Sequence, residues 1–183
     1  AARAYVTQRC MDSVQGIKAL LLDDETAAAV GLVVSHTVAL NHQVFAIDSL
    51  DNPLRKPVGH IKAVCVVRPT AENLKVFRRE LEEPKFEEYH IFFTNTLADH
   101  LLKDLALADV GQVVRQVQEI FLDFFPLTPD LFTLNIKSCM PLESPRWDQA
   151  LFNRCCDGLA SVLLALKRSP VIGFQRNSQT AEK

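Results

Sequence analysis

The residues best placed for chemistry stand at the end of the first apolar run. Ile17-Lys-Ala-Leu-Leu-Leu22 is followed at once by Asp23-Asp24-Glu25-Thr26. Paired carboxylates at the carboxyl end of a strand are hard oxygen ligands and could hold Mg²⁺ for phosphoryl transfer. The same residues also suit a helix start, because acidic side chains there complement the positive end of the helix dipole. Other chemical constellations are missing. The first strand is not followed by G-x-G-x-x-G, and the chain has no G-x-x-x-x-G-K-[ST]. Six glycines in 183 residues give poor support for a phosphate-cradling loop. No serine sits in a G-x-S-x-G elbow. His36, His42, His60, His90 and His100 are scattered, with no pair four residues apart on a helix to ligate a metal. Cys10, Cys65, Cys139, Cys155 and Cys156 are odd in number and irregularly spaced, which argues against a disulfide framework and fits a reducing, cytosolic compartment. Cys65 lies in an apolar run and reads as a core residue. Cys155 and Cys156 are adjacent on a predicted helix, so their side chains diverge by about 100°.

The acidic pair can be tested against a phospho-receiver site. Such a site needs a phospho-accepting aspartate at the end of the third strand, and this chain has Arg68-Pro69-Thr70 there. It needs a lysine at the end of the fifth strand, where Phe124-Phe125-Pro126 stands. Thr94, at the end of the fourth strand, does fit. Asp23 and Asp24 are therefore read as a helix-start pair. A degenerate phospho-receiver, or another doubly wound ligand-binding domain, is the alternative reading.

The elements that must position these residues follow from the apolar pattern. Glu87-Glu-Tyr-His-Ile-Phe-Phe-Thr-Asn-Thr-Leu97 contains a continuous apolar and aromatic run, which suits a strand buried on both faces of a parallel sheet. Residues 17–23, 43–48, 63–67 and a stretch centred on 118–122 are the other four strands. Residues 2–15 could form a short helix ended by Gly16. Helices are expected over 26–40, with Asn41 just past the end, and over 71–82, capped by Thr70. A further helix should follow Thr96, which with Asp99 makes a capping-box-like pair. The loop containing Arg55, Lys56, His60 and Lys62 is locally basic and reads as solvated. Residues 127–135 read as a turn and a short extended exit. Five strands alternating with helices give an α/β fold, a doubly wound five-stranded parallel sheet flanked by helices. Composition shifts at 137–145, which reads as a linker. The helix over 148–167 carries a wide apolar stripe of Leu151, Phe152, Cys155, Leu159, Val162, Leu163 and Leu166. One amphipathic helix cannot bury that stripe alone, so this helix is expected to be loosely attached.

Charge is balanced at net −2 and hydrophobic content is 48%. A nucleic-acid partner is not indicated. Direct membrane insertion is not indicated either, since no apolar run approaches the roughly 20 residues needed to span a bilayer. Residues 1–16 lack a signal-peptide layout. No cofactor motif is present.

The order of motifs resembles the SM family, the syntaxin-binding regulators of SNARE-driven vesicle fusion. The residues that carry this are Ile17-Lys-Ala-Leu-Leu-Leu-Asp-Asp-Glu-Thr26, Val64-Cys-Val-Val-Arg-Pro-Thr-Ala-Glu-Asn73, Pro84-Lys-Phe86, His90-Ile-Phe-Phe-Thr-Asn95, Gln118-Glu-Ile-Phe-Leu-Asp-Phe-Phe125 and Leu131-Phe-Thr-Leu-Asn135. The Arg-Pro-Thr-x-Glu-Asn segment and the Leu-Phe-x-Leu-Asn exit are the most specific of them. The resemblance covers nearly the whole chain. It implies that residues 1–136 are the family's α/β domain 1 and that 137–183 are a linker and the start of domain 2. Family members run to several hundred residues, so the chain reads as an N-terminal piece. The resemblance implies a protein that is not an enzyme. It would bind a syntaxin-type SNARE, both its N-terminal peptide and its folded form, and regulate SNARE assembly in vesicle docking and fusion. Details such as Leu107-Ala-Asp109 and Trp147-Asp148 fit a subgroup that works in the cytoplasm, peripherally on endosome and Golgi membranes.

Domain 1 of this family has a surface pocket for the syntaxin N-terminal peptide. Matching motif to motif, the pocket positions here are Leu97, Leu102, Val114, Val117 and Glu119, with Leu105 a close neighbour. The apolar side chains would take the peptide's hydrophobic anchor, and an acidic group would lie near its basic residue. Leu102 is expected near the surface with Leu97, while Leu101 and Leu105 face the sheet. Val114 and Val117 have opposite parity, so sharing a face requires a turn or bulge between them. The cleft for folded syntaxin lies between domains 1 and 3. Asp23–Thr26 and the loop at 52–60 are its candidates on this chain.

Overall fold

The structure is a computed structural model, and it describes residues 2–128, 130–136, 148–171 and 173. The linker expected at 137–145 lies outside the described residues.

Five parallel strands form the central sheet: β1 (Lys18–Leu22), β2 (Val44–Ser49), β3 (Lys62–Val67), β4 (Tyr89–Phe93) and β5 (Val114–Glu119), in the order β2-β1-β3-β4-β5. This is a doubly wound order with its reversal between β1 and β3. Helices α1 (Ala2–Val6), α2 (Asp24–Val33) and α3 (His36–Asn41) precede β2, with a π-helical turn, Thr7–Met11, directly after α1. Helices α4 (Ala71–Glu82) and α5 (Asp99–Ala108) connect β3 to β4 and β4 to β5. A two-stranded antiparallel hairpin, β6 (Phe125–Thr128) and β7 (Leu131–Thr133), follows the sheet, and α6 (Gln149–Leu166) comes last.

Alternation along each strand splits the core into two layers. Ala63, Cys65, Val67, Tyr89, Ile91 and Phe93 pack under α4 and α5, with Leu74, Phe77, Leu81 and Leu105. Leu20, Leu22, Val64, Val66 and Phe92 face the other way, against Val6, Met11, Val30 and Val34. Phe92 and Phe93 are both fully buried, on opposite faces of β4. The central strand is therefore covered on both sides, as a near-continuous apolar run demands.

Several boundaries differ from the sequence reading, each for a local reason. The helix expected over 26–40 is two helices, because Ser35 starts a new one by accepting a hydrogen bond from Val38 N–H. Asn41 is the last helical residue rather than the one past the end, and the left-handed residue is Gln43, at φ 62°. The fifth strand lies earlier than 118–122. Ile120 and Leu122 still donate to the carbonyls of Phe93 and Thr94, but β4 has ended there and offers no further ladder. Thr96 does not cap α5. That helix begins at Asp99 behind Ala98, which supplies no side-chain cap.

The last helix docks through its middle turns on the segment after β5. Gly158, Ser161 and Val162 are buried, and Asp123 N–H donates to Ser161 Oγ at 2.9 Å. Arg154 reaches both carboxylate oxygens of Asp123, at 2.9 and 3.0 Å. The helix docks through a small-residue face plus a polar latch, and a hydrophobic-stripe reading does not detect either. Part of the apolar stripe remains in water: Leu151, Leu159 and Leu166 are exposed.

Candidate peptide-binding site

The acidic pair after β1 resolves into structure. Asp23 caps α2, accepting from Thr26 N–H at 2.8 Å while Thr26 Oγ1 accepts from Asp23 N–H at 3.0 Å. The other oxygen of Asp23 accepts from Arg68 N–H and from Asn73 Nδ2, both at 2.7 Å. That carboxylate ties α2, the end of β3 and α4 together, and accepts from three protein donors. Thr94 is fully buried. With Arg68 at the end of β3, the elements of a phospho-receiver site are not brought together.

The basic loop is also structural in part. Arg55 is almost wholly covered, paired with Asp48 at 3.0 Å and Glu80 at 3.1 Å, with its guanidinium over the Phe86 ring. Lys62 pairs with Glu88 at 2.7 Å. Lys62, His90 and Arg115 surround Glu88, and the Lys62 pair pulls its carboxyl down to about 2. The expectation of a solvated loop holds for Lys56 and His60, which are exposed, and fails for Arg55.

The six pocket candidates lie on α5, its entry and the edge strand β5. The parity conflict between Val114 and Val117 is resolved by a bulge. Tyr89 pairs with Val114, but His90 pairs with Gln116, so Arg115 is the extra residue. Beyond it, Val117 pairs with Ile91, and both valines pack against the layer under α4 and α5. A bulge adds one residue to one strand and re-aims the side chains that follow.

The six differ in accessibility. Leu102 is 43% exposed. Val114 and Val117 are half-buried and Glu119 is exposed. Leu105 is core, as its sheet-facing position implied. Leu97 does not share the surface with Leu102: it is 7% exposed and belongs to the core under α4 and α5. The chain turns inward after Asn95 to bury this leucine, which also explains why the helix starts late. Leu101 is half-buried against the same core.

Two carboxylates fix α5 to the strand. Glu119 Oε1 accepts from Leu97 N–H at 2.7 Å, across 22 positions. Asp109 accepts from Val113 N–H at 2.9 Å and Val114 N–H at 3.0 Å, closing the turn from α5 into β5. Sequence reasoning missed Asp109. Its signal was an aspartate two residues before Gly111, a turn composition. This surface offers half-buried apolar side chains and one exposed carboxylate, with no nucleophile beside them. That chemistry serves binding.

An open groove lies elsewhere. A groove of about 700 Å³ lies between α1, α2, the β6–β7 hairpin and α6, lined by Leu122, Phe124, Phe132, Val162 and Leu166 among others. None of the six candidates lines it.

The chain is 44% identical over 172 residues to vacuolar protein sorting-associated protein 45 of Dictyostelium discoideum, covering 94% of this chain and 30% of that protein. It is 37% identical over all 183 residues to the human protein of the same name, covering 32% of it. The chain thus spans about a third of the length of the curated relatives it matches. The SM protein Vps45 solved in complex with the Qa SNARE Tlg2 superimposes at a TM-score of 0.88 and 37% identity, over 99% of this chain and 34% of that one. Sly1p, solved with an N-terminal peptide of Sed5p, gives 0.76 at 27% identity, over 84% of this chain and 28% of that one. The sequence pattern of the Sec1 family matches residues 18–183, most of the chain, and the chain belongs to the Sec1 (SM) family.

Proposed function

We propose that this chain is the N-terminal part of a syntaxin-binding regulator that guides SNARE assembly in vesicle docking and fusion. The observation that carries the reading is the superposition of 99% of the chain on an SM protein solved in complex with a Qa SNARE, at 37% identity. Residues 1–136 act as domain 1 and 137–183 as a linker and the beginning of a second domain. The role is non-enzymatic, and it is exercised in the cytoplasm, peripherally on endosome and Golgi membranes. Among the described residues no helix is long and apolar enough to cross a membrane.

The N-terminal peptide of the SNARE docks beside α5 and β5. Leu102 with the accessible parts of Val114 and Val117 receives the apolar anchor. Leu97 and Leu105 support that surface from beneath. Glu119 stands at its rim. The pair of opposite-parity valines brought to one face by the Arg115 bulge supports this placement. Calorimetric titration of a syntaxin-type Qa SNARE N-terminal peptide tests it, with the metal chelator EDTA present and no nucleotide. Saturable one-to-one binding is expected. Absence of binding, or binding that needs Mg²⁺ or nucleotide, would overturn the reading.

A further inference from the structure

We infer that Glu119 serves this peptide site as a positioning residue, through its hydrogen bond to the Leu97 amide, and not as the charge that meets the peptide's cation. The inference rests on the proposed function and assigns a different role to one of its residues.

Helix α5 has no side-chain cap of its own, because Ala98 stands at the N-cap. The donor just before it, Leu97 N–H, belongs to a residue that is 7% exposed. Glu119 Oε1 satisfies that donor at 2.7 Å. At the far end of the same helix, Asp109 uses both oxygens on Val113 and Val114. The segment from Leu97 to Asp109 is therefore pinned to β5 at both ends by carboxylates, and Leu102 sits between the pins. The spacing of Leu102 from Val114 and Val117 depends on these two clamps.

Two roles for Glu119 compete, and magnitudes separate them. Glu119 is exposed, and a solvent-exposed ion pair to a ligand cation is weak and screened by salt. Removing the acceptor of the partly buried Leu97 N–H leaves that donor without its protein partner, which is the larger penalty. Glutamine keeps an acceptor oxygen at the same reach and drops the charge. The two roles therefore give opposite results in one variant.

The experiment titrates the Qa SNARE N-terminal peptide into the parent chain, Glu119→Gln, Glu119→Ala and Leu102→Arg, and follows exchange of the Leu97 amide by NMR. Glu119→Gln should bind within about twofold of the parent and keep the Leu97 amide protected. Glu119→Ala should lose at least about fivefold in affinity, the cost of roughly one unmet hydrogen bond, and should expose that amide to fast exchange. A loss in Glu119→Gln equal to that in Glu119→Ala, with Leu102→Arg also impaired, overturns the inference and leaves the pocket in place. Equal protection of the Leu97 amide in the parent, Glu119→Gln and Glu119→Ala overturns it as well. A parent that does not bind, or a Leu102→Arg variant that binds as the parent does, refutes the pocket itself and the inference with it. If Glu119→Ala does not fold, the Glu119→Gln comparison decides alone.

Discussion

Leu102 and Leu105 lie one helical turn apart on α5 and should answer differently to the same substitution. Leu105 is 2% exposed and Leu102 is 43% exposed. Truncating a buried leucine to alanine costs about 2–5 kcal/mol through lost transfer energy and the cavity left behind. Leu105→Ala should lower stability by that amount. Leu102 has already surrendered rather more than half of its surface to the fold, so only the remainder is available to a partner. Fully burying a leucine contributes about 1.5–3 kcal/mol, and 43% of that is about 0.6–1.3 kcal/mol. At roughly 1.4 kcal/mol per tenfold, Leu102→Ala should weaken peptide binding about three- to ninefold. Leu102→Arg also places a cation where the apolar anchor must be desolvated, so its loss should reach at least about tenfold. The assay is calorimetric titration of a Qa SNARE N-terminal peptide, with a thermal melt on each variant. Leu102→Arg should melt within a few degrees of the parent. If it unfolds the chain, Leu102 is core and the surface is misplaced. If it stays folded and binds like the parent, the peptide docks elsewhere.

Three further outcomes follow from the packing and charge. Phe92→Ala and Phe93→Ala should each cost about 3–5 kcal/mol in a denaturant melt, because both rings are fully buried and Phe93 also meets Phe77 edge-on at 6.3 Å; an unchanged midpoint for both would contradict the two-sided burial of β4. Gly158→Ala should destabilise the chain and speed hydrogen exchange across α6, although alanine is the better helix former by about 1 kcal/mol. The added Cβ would lie 2.6 Å from Leu134 Cδ2 and 3.2 Å from the Asp123 carbonyl oxygen, and the latter is backbone that cannot swing aside; a raised melting point would show that α6 does not sit against Asp123. For pH, the folded pKa of Glu88 is depressed to about 2, first of all by its hydrogen bond to Lys62. Its stabilisation is therefore present above the unfolded value near 4.5 and is lost as pH falls toward about 2. Glu88→Gln should flatten the acid limb of a stability-against-pH curve, and an acid limb identical to the parent's would count against the pairing.

What could be read without coordinates was what is local and repetitive. The apolar runs at 17–23, 63–67 and 88–94 identify strands because two-sided burial leaves no polar face to interrupt them. Thr70 marked its helix start because an N-cap is a short-range bond, and it does accept from Asn73 N–H. Family motifs add the subject of binding, since they are linear strings. The tertiary structure decided whatever depends on residues far apart in sequence. Asp23 could be a metal ligand or a cap until Arg68 and Asn73 arrived from 45 and 50 positions away. Thr96 was the better capping residue by type. Burying Leu97, with its amide satisfied by Glu119 from across the strand, moved the helix start to Asp99. Only part of the stripe on the last helix is covered, with Val162 buried and Leu151, Leu159 and Leu166 exposed, while the polar and small-residue contacts that hold the helix run through Arg154, Gly158 and Ser161, residues with no hydrophobic signal. Val114 and Val117 could share a face only if a residue were spare between them, and the register of β5 against β4 is what made Arg115 that residue. Periodicity reports which side chains seek burial. Which neighbour receives them, and which donor each buried carboxylate meets, is settled only when the chain closes on itself.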